Sequence, residues 1–382
     1  MQLIDRYSHL SPKQFAEVII DNLHTSFGVD LKPIFASVEL SVDQKARRAR
    51  AALFEAILSE ADRSGALLDF APGTDFDEDP FVKQLLAEEV GEVEIEPNLA
   101  LTQGDANYVM AMTGREIHTY LYTLTKRMEN MANAKTAGQL AVEMVSGGLV
   151  GIGIPMAVGA IKGLRAGMTL LNAVRAGITS VGLKTAIGVV VVALVGFLLY
   201  LFLDNPKKIL GMVINNTDED FVVNNWRKGI DGAKDGNLFM EHGHMANFMQ
   251  DSEEGLQSRQ IQIKARAFFA ENDPDNVIFG GIYFADRNFG LRGSEGVMVF
   301  TSTTTSLSFA HQFAVPYTND NGTNIRLING AVPDIQALYR EMYETRKVQV
   351  DATDGDYRLR SGVNDARGGV VGCIASISKL SA

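Results

Sequence analysis

The order of apolar and polar positions changes twice along the chain, and the first part has the spacing of amphipathic helices. Ser11 followed by Pro12 is a helix start signal, because serine caps the first turn and proline fits its first position. The apolar residues of this helix fall on one face: Phe15, Val18, Ile19 and Leu23. A second helix is predicted after Ser41 and a third near Thr102. We therefore predict a helical domain over residues 1–140.

Residues 144–203 are the most apolar part of the chain and contain no Asp or Glu. Within them, residues 185–203 form a run of 19 positions without a charged side chain. At about 1.5 Å per helical residue, this run is close to the ~30 Å hydrocarbon core of a bilayer. An earlier apolar stretch, residues 144–161, is rich in glycine and contains Pro155. We predict that residues 141–205 are hydrophobic helices that insert into a membrane.

The side chains expected to meet lipid share an apolar or interfacial character. They are Ile152, Ile154, Pro155, Val189, Val192, Leu194, Phe197, Leu198, Tyr200 and Phe202. Small residues between them favour close helix packing in lipid and weaken helices in water. Three interpretations remain open from these residues alone: a permanent anchor, a hairpin buried in a helical domain, and a hairpin that inserts conditionally.

Residues 206–382 have short alternating runs separated by turn-forming clusters. The runs are Gln260–Phe269, Val277–Phe284, Gly296–Thr301 and Leu307–Val315, and one helix begins near Pro333. Several short strands at this spacing are typical of a β-sandwich. The predicted fold class is therefore α+β: a helical N-terminal domain with a hydrophobic helical hairpin, followed by a β-sandwich.

Charge and cysteine content narrow the possible partners and the route of export. The net charge of −11 argues against nucleic acid, since nucleic-acid binders usually carry a basic surplus. The single cysteine, Cys373, excludes an internal disulfide. No apolar core of a signal peptide follows Asp5 and Arg6. We expect a protein that is made soluble in the cytoplasm, leaves by a non-classical route and acts at a target-cell membrane.

The sets of residues that could carry out catalysis or bind a metal are incomplete. His242 and His244 are separated by one glycine but lack a carboxylate or cysteine partner at helical spacing. Asp351, Asp354 and Asp356 surround a glycine, which is better explained by a turn than by a calcium loop. Neither a nucleophile elbow nor a phosphate loop occurs. We predict no catalytic residue, no metal and no cofactor, and expect that the chain is not an enzyme.

Five segments of the C-terminal part together resemble the actinoporin-like family of pore-forming cytolysins, over about residues 207–378. In order, they are KKILGMVINNTDEDF (207–221), GGIYFADRNFGLRGSEGVMVF (280–300), LSFAHQFAVPYTNDNGTNIRLI (307–328), PDIQALYREMYE (333–344) and YRLRSGVNDARGGVVGCIASIS (357–378). The resemblance implies a β-sandwich that recognises phosphocholine or sphingolipid head groups. It also implies that a helix upstream of the first strand inserts and that several protomers form a pore.

The resemblance places a lipid-headgroup site at Pro316, Tyr317, Tyr339 and Tyr343. Packing of an amphipathic helix on a sheet is the alternative role of the two helix tyrosines. The family's tandem tryptophans are absent, and residues 321–323 stand in their place. No counterpart of residues 1–140 exists in the family, and we expect these helices to sheathe the apolar segments in water. A resident membrane protein anchored by residues 185–203 and a soluble lipid- or sugar-binding lectin-like module are the alternative functions.

Overall fold

A computed structural model describes most of the C-terminal half of the chain and parts of its N-terminal half. The described residues are 9–40, 42–63, 98–114, 116–117, 129, 132–133, 191, 194–196, 198–203, 207–223, 237–246, 264–265, 267–268, 277–287 and 292–380. The chain divides into two compact units. Unit 1 comprises residues 1–95 and 122–204, and unit 2 comprises residues 96–121 and 205–382.

The described part of unit 1 begins with three helices. They are α1 (Pro12–Phe27), α2 (Lys32–Ala36) and α3 (Val42–Arg63). The Ser11 signal works as predicted, since its hydroxyl accepts from the Gln14 amide and the Gln14 side chain accepts from the Ser11 amide. Helix α1 ends at Gly28, whose φ of 72° suits glycine. Its buried face is Phe15, Ala16, Ile19, Ile20 and Leu23, so Ile20 rather than the predicted Val18 is buried there.

The described part of the predicted insertion segment is helical and buried. Leu194, Leu198, Tyr200 and Phe202 are each less than a tenth exposed. The Phe202 ring lies 5.4 Å from the Phe35 ring of α2, centroid to centroid. Among the described residues, none belongs to a helix that is both long and apolar enough to cross a bilayer. The other predicted insertion residues, Ile152, Ile154, Pro155, Val189, Val192 and Phe197, lie outside the described residues.

Unit 2 contains two β-sheets. The first sheet contains β1 (Asn98–Thr102), β2 (Lys208–Asn216), β5 (His244–Ala246), β7 (Ala267–Phe268), β8 (Val277–Asp286), β12 (Gln349–Asp354), β13 (Tyr357–Val363) and β14 (Val370–Lys379). The second contains β3 (Phe221–Val222), β4 (Leu238–His242), β6 (Lys264–Ala265), β9 (Ser294–Ser302), β10 (Ser308–Val315) and β11 (Gly322–Ile328). Helix α4 (Gln103–Ala111) follows β1, and helix α5 (Ile335–Glu344) follows β11.

The strand order places the termini of several strands at one end of the unit. The first sheet runs β1-β8-β2-β14-β13-β12, and the second runs β11-β10-β9-β3-β6, with β4 also on β9. Strands β2 and β14 are parallel, and the other described pairs are antiparallel. The starts of β2 and β14 therefore lie beside the end of β8, where Lys208 N donates to Gly369 O at 2.8 Å.

The second sheet is covered on both faces, which explains its continuous apolar strands. One face shares a core with the first sheet, and in that core Phe300 stacks on Phe309 at 4.8 Å between centroids. The other face is covered by α5, which buries Ile335, Leu338, Tyr339 and Met342. Every residue of β10 is consequently buried. A strand enclosed in this way loses the simple alternation of a half-exposed strand.

The chain thus contains both helices and β-sheets, as the predicted α+β class requires. The predicted runs at Val277–Phe284, Gly296–Thr301 and Leu307–Val315 are strands, and the helix predicted near Pro333 is α5. Among the described elements within residues 1–140, one is a strand: β1 pairs with β8 from Asn98↔Gly281 to Thr102↔Val277. The division into 1–140, 141–205 and 206–382 stays a prediction.

Candidate functional site

Helix α5 carries two of the predicted site residues and is fastened firmly to the second sheet. The Asp334 carboxylate accepts from the Ala337 amide at 2.8 Å and caps the first turn. Arg326 of β11 binds Glu341 through two hydrogen bonds of 2.6 and 3.0 Å. Because Tyr339 and Tyr343 are four residues apart, they lie on one face, with ring centroids 5.5 Å apart.

A buried carboxyl group lies beneath these tyrosines. Glu295, near the start of β9, is buried, and Tyr339 donates its hydroxyl to Glu295 Oε2 at 3.3 Å. Burial raises the pKa of Glu295, while His242 and the hydroxyls of Tyr343 and Tyr339 partly oppose the rise. Burial, together with the Glu295 charge, also raises the pKa of Tyr339. Both tyrosines therefore remain neutral hydrogen-bond donors at physiological pH.

Arg346 closes the group from the solvent side. Its guanidinium carbon lies 3.7 Å from the Tyr343 ring centroid, which is a cation–π contact. It donates to the carbonyl oxygens of Tyr343 at 2.8 Å and Asp320 at 3.2 Å. Its stem crosses Gly322, where a Cβ would lie 2.9 Å from Arg346 Cγ. We call Glu295, Tyr339, Tyr343 and Arg346 the end cluster.

The loop of residues 316–321 adds an exposed aromatic ring at the same end. Pro316 is buried, whereas Tyr317 is 42% exposed. Asn319 Nδ2 lies 3.5 Å from the Tyr343 hydroxyl oxygen, at the limit of a hydrogen bond. The structure therefore brings Pro316, Tyr317 and Tyr343 to one end of unit 2. Tyr339 lies deeper, with its ring 5.3 Å from Phe239.

Five basic residues, which we call the basic rim, belong to this end: Lys207, Arg287, Arg292, Arg346 and Arg367. The Arg287 amide donates to Lys207 O at 3.1 Å, and Arg292 precedes Gly293, where a Cβ would lie 2.7 Å from Pro316 Cα. Arg367 Nε donates to Asp320 Oδ1 at 2.9 Å. Burial lowers the pKa of Lys207, opposed by the charges of Glu295 and Asp365. The exposed carboxylates whose contacts place them among the rim are Asp320 and Asp365.

A second polar group, the inner cluster, lies between the two sheets: Tyr283, His311, Thr323, Ser361 and Cys373, all buried. Tyr283 Oη lies 2.8 Å from His311 Nε2, and Cys373 Sγ lies 3.8 Å from the same nitrogen. Thr323 donates to the carbonyl oxygen of Gln312 at 2.8 Å and also bonds the Ser361 hydroxyl. Burial raises the pKa of Cys373 to about 11 and lowers that of His311 to about 4.

The cysteine and histidine of the inner cluster have the wrong electrostatics for a nucleophile and its base. A reactive thiol needs a depressed pKa and access to a substrate, and Cys373 has a raised pKa and is buried. His311 is held neutral by the same burial. The cluster therefore joins the two sheets through hydrogen bonds between uncharged groups.

No family model matches this chain, and no curated protein matches it. Several solved structures resemble part of it. The lipid-binding protein Nakanori is 11% identical over 45% of this chain and 71% of that chain, with a TM-score of 0.31. The Xerocomus chrysenteron lectin XCL is 13% identical over 45% and 99%, with a TM-score of 0.24. The RahU protein, in complex with a TRIS molecule, is 12% identical over 47% and 98%, with a TM-score of 0.26.

The calcium-like aspartate motif has a structural explanation. Within the described ranges, three or more metal-binding side chains are nowhere gathered. Asp351 instead accepts two hydrogen bonds from Arg358, at 2.9 and 2.8 Å. The β12–β13 hairpin turns at Gly355, whose φ is 57°. The aspartates thus stabilise and flank a hairpin.

Sequence reasoning missed Glu295, Arg346 and the inner cluster. Of these residues, Glu295 could have been noticed in the sequence. It is a carboxylate in the otherwise apolar strand SEGVMVF. Such a residue either faces solvent or is buried with partners, and its partners here come from α5. The position of Arg346 depends on how the chain leaves that helix, which no local pattern encodes.

Proposed function

We propose that this chain is a membrane-active protein of the actinoporin-like type, which binds a lipid surface through unit 2 and perforates it. The observation that supports the proposal is the gathering of exposed Tyr317, half-buried Tyr343 and the basic rim at one end of unit 2. Aromatic rings with polar edges suit the membrane–water interface, and cations suit lipid phosphates. In this proposal, that end faces the membrane.

The apolar segment of unit 1 supplies the proposed means of insertion. In the described structure its residues are helical and buried, and Phe202 contacts both α2 and α1. The Phe202 ring lies 5.4 Å from the Phe35 ring, and Lys13 Nζ lies 5.2 Å from the Phe202 ring centroid. This contact supports the idea that the N-terminal helices sheathe an apolar segment until it transfers to lipid. Exposure of such a segment in water would lead to aggregation.

The finer features of the proposal follow the family resemblance. The two sheets of unit 2 would be an actinoporin-like β-sandwich, and residues 144–203 a hairpin that inserts after binding. Several protomers would then assemble into the pore, after release by a non-classical route. The protein would act by binding and insertion without catalysis, which agrees with the unreactive Cys373–His311 pair.

A vesicle experiment with two readouts tests the proposal. The full chain is mixed with dye-loaded vesicles of phosphatidylcholine, of phosphatidylcholine with sphingomyelin, and of phosphatidylcholine with an acidic phospholipid. Flotation of the same samples measures binding, and dye release measures perforation. We expect both with at least one composition. If the chain floats with vesicles but releases dye from none of the compositions, pore formation is contradicted. The chain would then be a lipid-binding module.

The two alternatives give different results in the same preparation. A resident membrane protein would require detergent for extraction, whereas the proposed protein is recovered from the aqueous fraction before it meets vesicles. A lectin-like module is favoured by one observation, the exposed Tyr317 ring close in sequence to the Asn319 amide, since rings and amides also bind sugars. Binding to glycan arrays without flotation on any vesicle would support that alternative.

A further inference from the structure

The aromatic face that a choline group would use is already occupied by the protein's own cation. Arg346 lies 3.7 Å from the Tyr343 ring centroid and is fixed there by the carbonyl oxygens of Tyr343 and Asp320. A cation over an aromatic ring is attracted by the negative face of the ring, and more strongly where water is excluded. A quaternary ammonium group would have to displace this contact and both hydrogen bonds before it reached the ring.

The same guanidinium retains hydrogen-bonding capacity for an anion. Arg346 Nε is buried and has no hydrogen-bond partner among the residues that the structure describes. The planar fork of arginine matches two oxygens of a phosphate, and its positive charge is permanent. Because Nε is closed to solvent, a phosphate oxygen would accept from the second N–H of an Nη nitrogen, each of which makes one hydrogen bond here. A choline group has no oxygen or charge that could accept from it.

The charges around Arg346 favour the same ligand. The basic rim has five cations, and the exposed carboxylates Asp320 and Asp365 lie among them, with Arg367 paired to Asp320. Two buried carboxyl groups belong to the same end: Glu295 beneath the tyrosines, and Asp286 opposite Lys208. Lys207 is already partly desolvated, so an added negative charge would restore the stability of its protonated form. Arg367 is 84% exposed and extends to the solvent side. Each basic residue near a membrane surface strengthens binding when the lipids are anionic.

We propose that this end of unit 2 selects acidic phospholipids, with the Arg346 guanidinium on a lipid phosphate and Lys207 and Arg367 beside it. The inference rests on the proposed membrane function and specifies its lipid. Tyr317 enters the interface next to the bound head group. Zwitterionic phosphatidylcholine binds more weakly, because the aromatic face that would receive its choline is covered.

The test compares flotation on vesicles of phosphatidylcholine alone with vesicles that also contain phosphatidylglycerol. We expect binding to the mixed vesicles to be at least tenfold stronger and to weaken at high salt. Arg346→Gln should lower binding to the mixed vesicles about fivefold, the equivalent of one cation at an anionic surface. Binding to phosphatidylcholine alone should not fall, because the variant also uncovers the Tyr343 ring.

Matched variants separate this site from a general charge effect. Arg358→Gln removes the same charge at the β12–β13 hairpin, near the opposite end of the first sheet, and should leave binding unchanged. Arg367→Gln repeats the test on an exposed side chain, so it remains informative even if Arg346→Gln does not fold. Equal binding to both vesicle types, insensitive to salt and to these variants, would overturn the inference alone. An absence of binding to every composition would overturn the membrane function itself.

Discussion

The inner cluster and the end cluster are both polar groups within one mostly apolar unit, yet they are organised in opposite ways. The inner cluster is enclosed by both sheets and contains hydroxyl, imidazole and thiol groups that burial keeps neutral. The end cluster contains a carboxyl group and a guanidinium, and Arg346 and Tyr343 remain partly exposed. The inner cluster is closed off from solvent, and the end cluster reaches it.

The difference follows from the cost of burying charge. A charge moved into an apolar interior loses several kcal/mol of solvation, so groups that can become neutral do so. Tyr283, His311 and Cys373 can all be neutral at pH 7, whereas Arg346 cannot. A permanent cation is therefore stable only at the margin, where it meets water and anions.

The largest expected effect concerns the neutrality of His311. Burial lowers its pKa from 6.5 to about 4 in the folded chain. As the pH falls, the unfolded chain therefore binds the proton first, and stability that is complete above about pH 6.5 is lost towards pH 4. The pKa difference corresponds to roughly 3 kcal/mol. Hydrogen exchange of peptides from β10, measured across this pH range, should reveal the loss.

His311→Gln provides the control for this effect. Glutamine can hydrogen-bond Tyr283 but does not titrate, so the variant should lose stability at pH 7 and show a flatter pH profile. The raised pKa of Glu295 acts in the opposite direction, because its neutral form favours the folded chain at low pH. Only the difference between the parent and variant profiles therefore reports His311. If the stability of the parent and of the variant changed in parallel with pH, His311 would not be held neutral in the inner cluster.

A smaller expected effect on stability compares Tyr339 and Glu295, the two hydrogen-bonded partners of the end cluster. Tyr339→Phe removes a buried donor to Glu295 and should cost about 1–3 kcal/mol of stability at neutral pH. Glu295→Gln keeps an acceptor for Tyr339 and removes a charge that burial already disfavours, so its cost should be smaller. Chemical unfolding of the two variants measures the order. A larger loss for Glu295→Gln would mean that its charge, through Arg346, dominates the cluster.

Much of the architecture could be predicted because it depends on local patterns. Strands β8, β9 and β10 are apolar runs between turn signals, and α5 combines a helix cap at Asp334 with one apolar face. Strand β1 could not be predicted in the same way. Its sequence NLALT is unremarkable, and it is a strand because it pairs with residues 277–281, far away in the chain.

The site was predictable only where a residue carries its own signal. Pro316, Tyr317 and Tyr343 were proposed from the resemblance, and the structure places them at one end of unit 2; their role in binding stays a prediction. The occupant of the Tyr343 ring face did not follow, because Arg346 reaches it through the turn after α5. In the sequence, His311 is a single histidine in an apolar strand. Its contacts with Tyr283 and Cys373 of the facing sheet are visible only in the structure.

The smallest expected effect on stability belongs to Tyr317. At this residue, a change in membrane binding should be accompanied by almost no change in stability. Tyr317→Ala should change the free energy of unfolding by no more than about 0.5 kcal/mol, since its ring is exposed. The same change should weaken flotation on acidic vesicles a few-fold, because an interfacial ring is lost. Tyr108→Ala, on the exposed side of α4, removes a ring that is more accessible than that of Tyr317 (67% against 42% exposed) and should leave flotation unchanged. If both variants bound equally well, Tyr317 would be an ordinary loop residue, and the surface would depend on its charges alone.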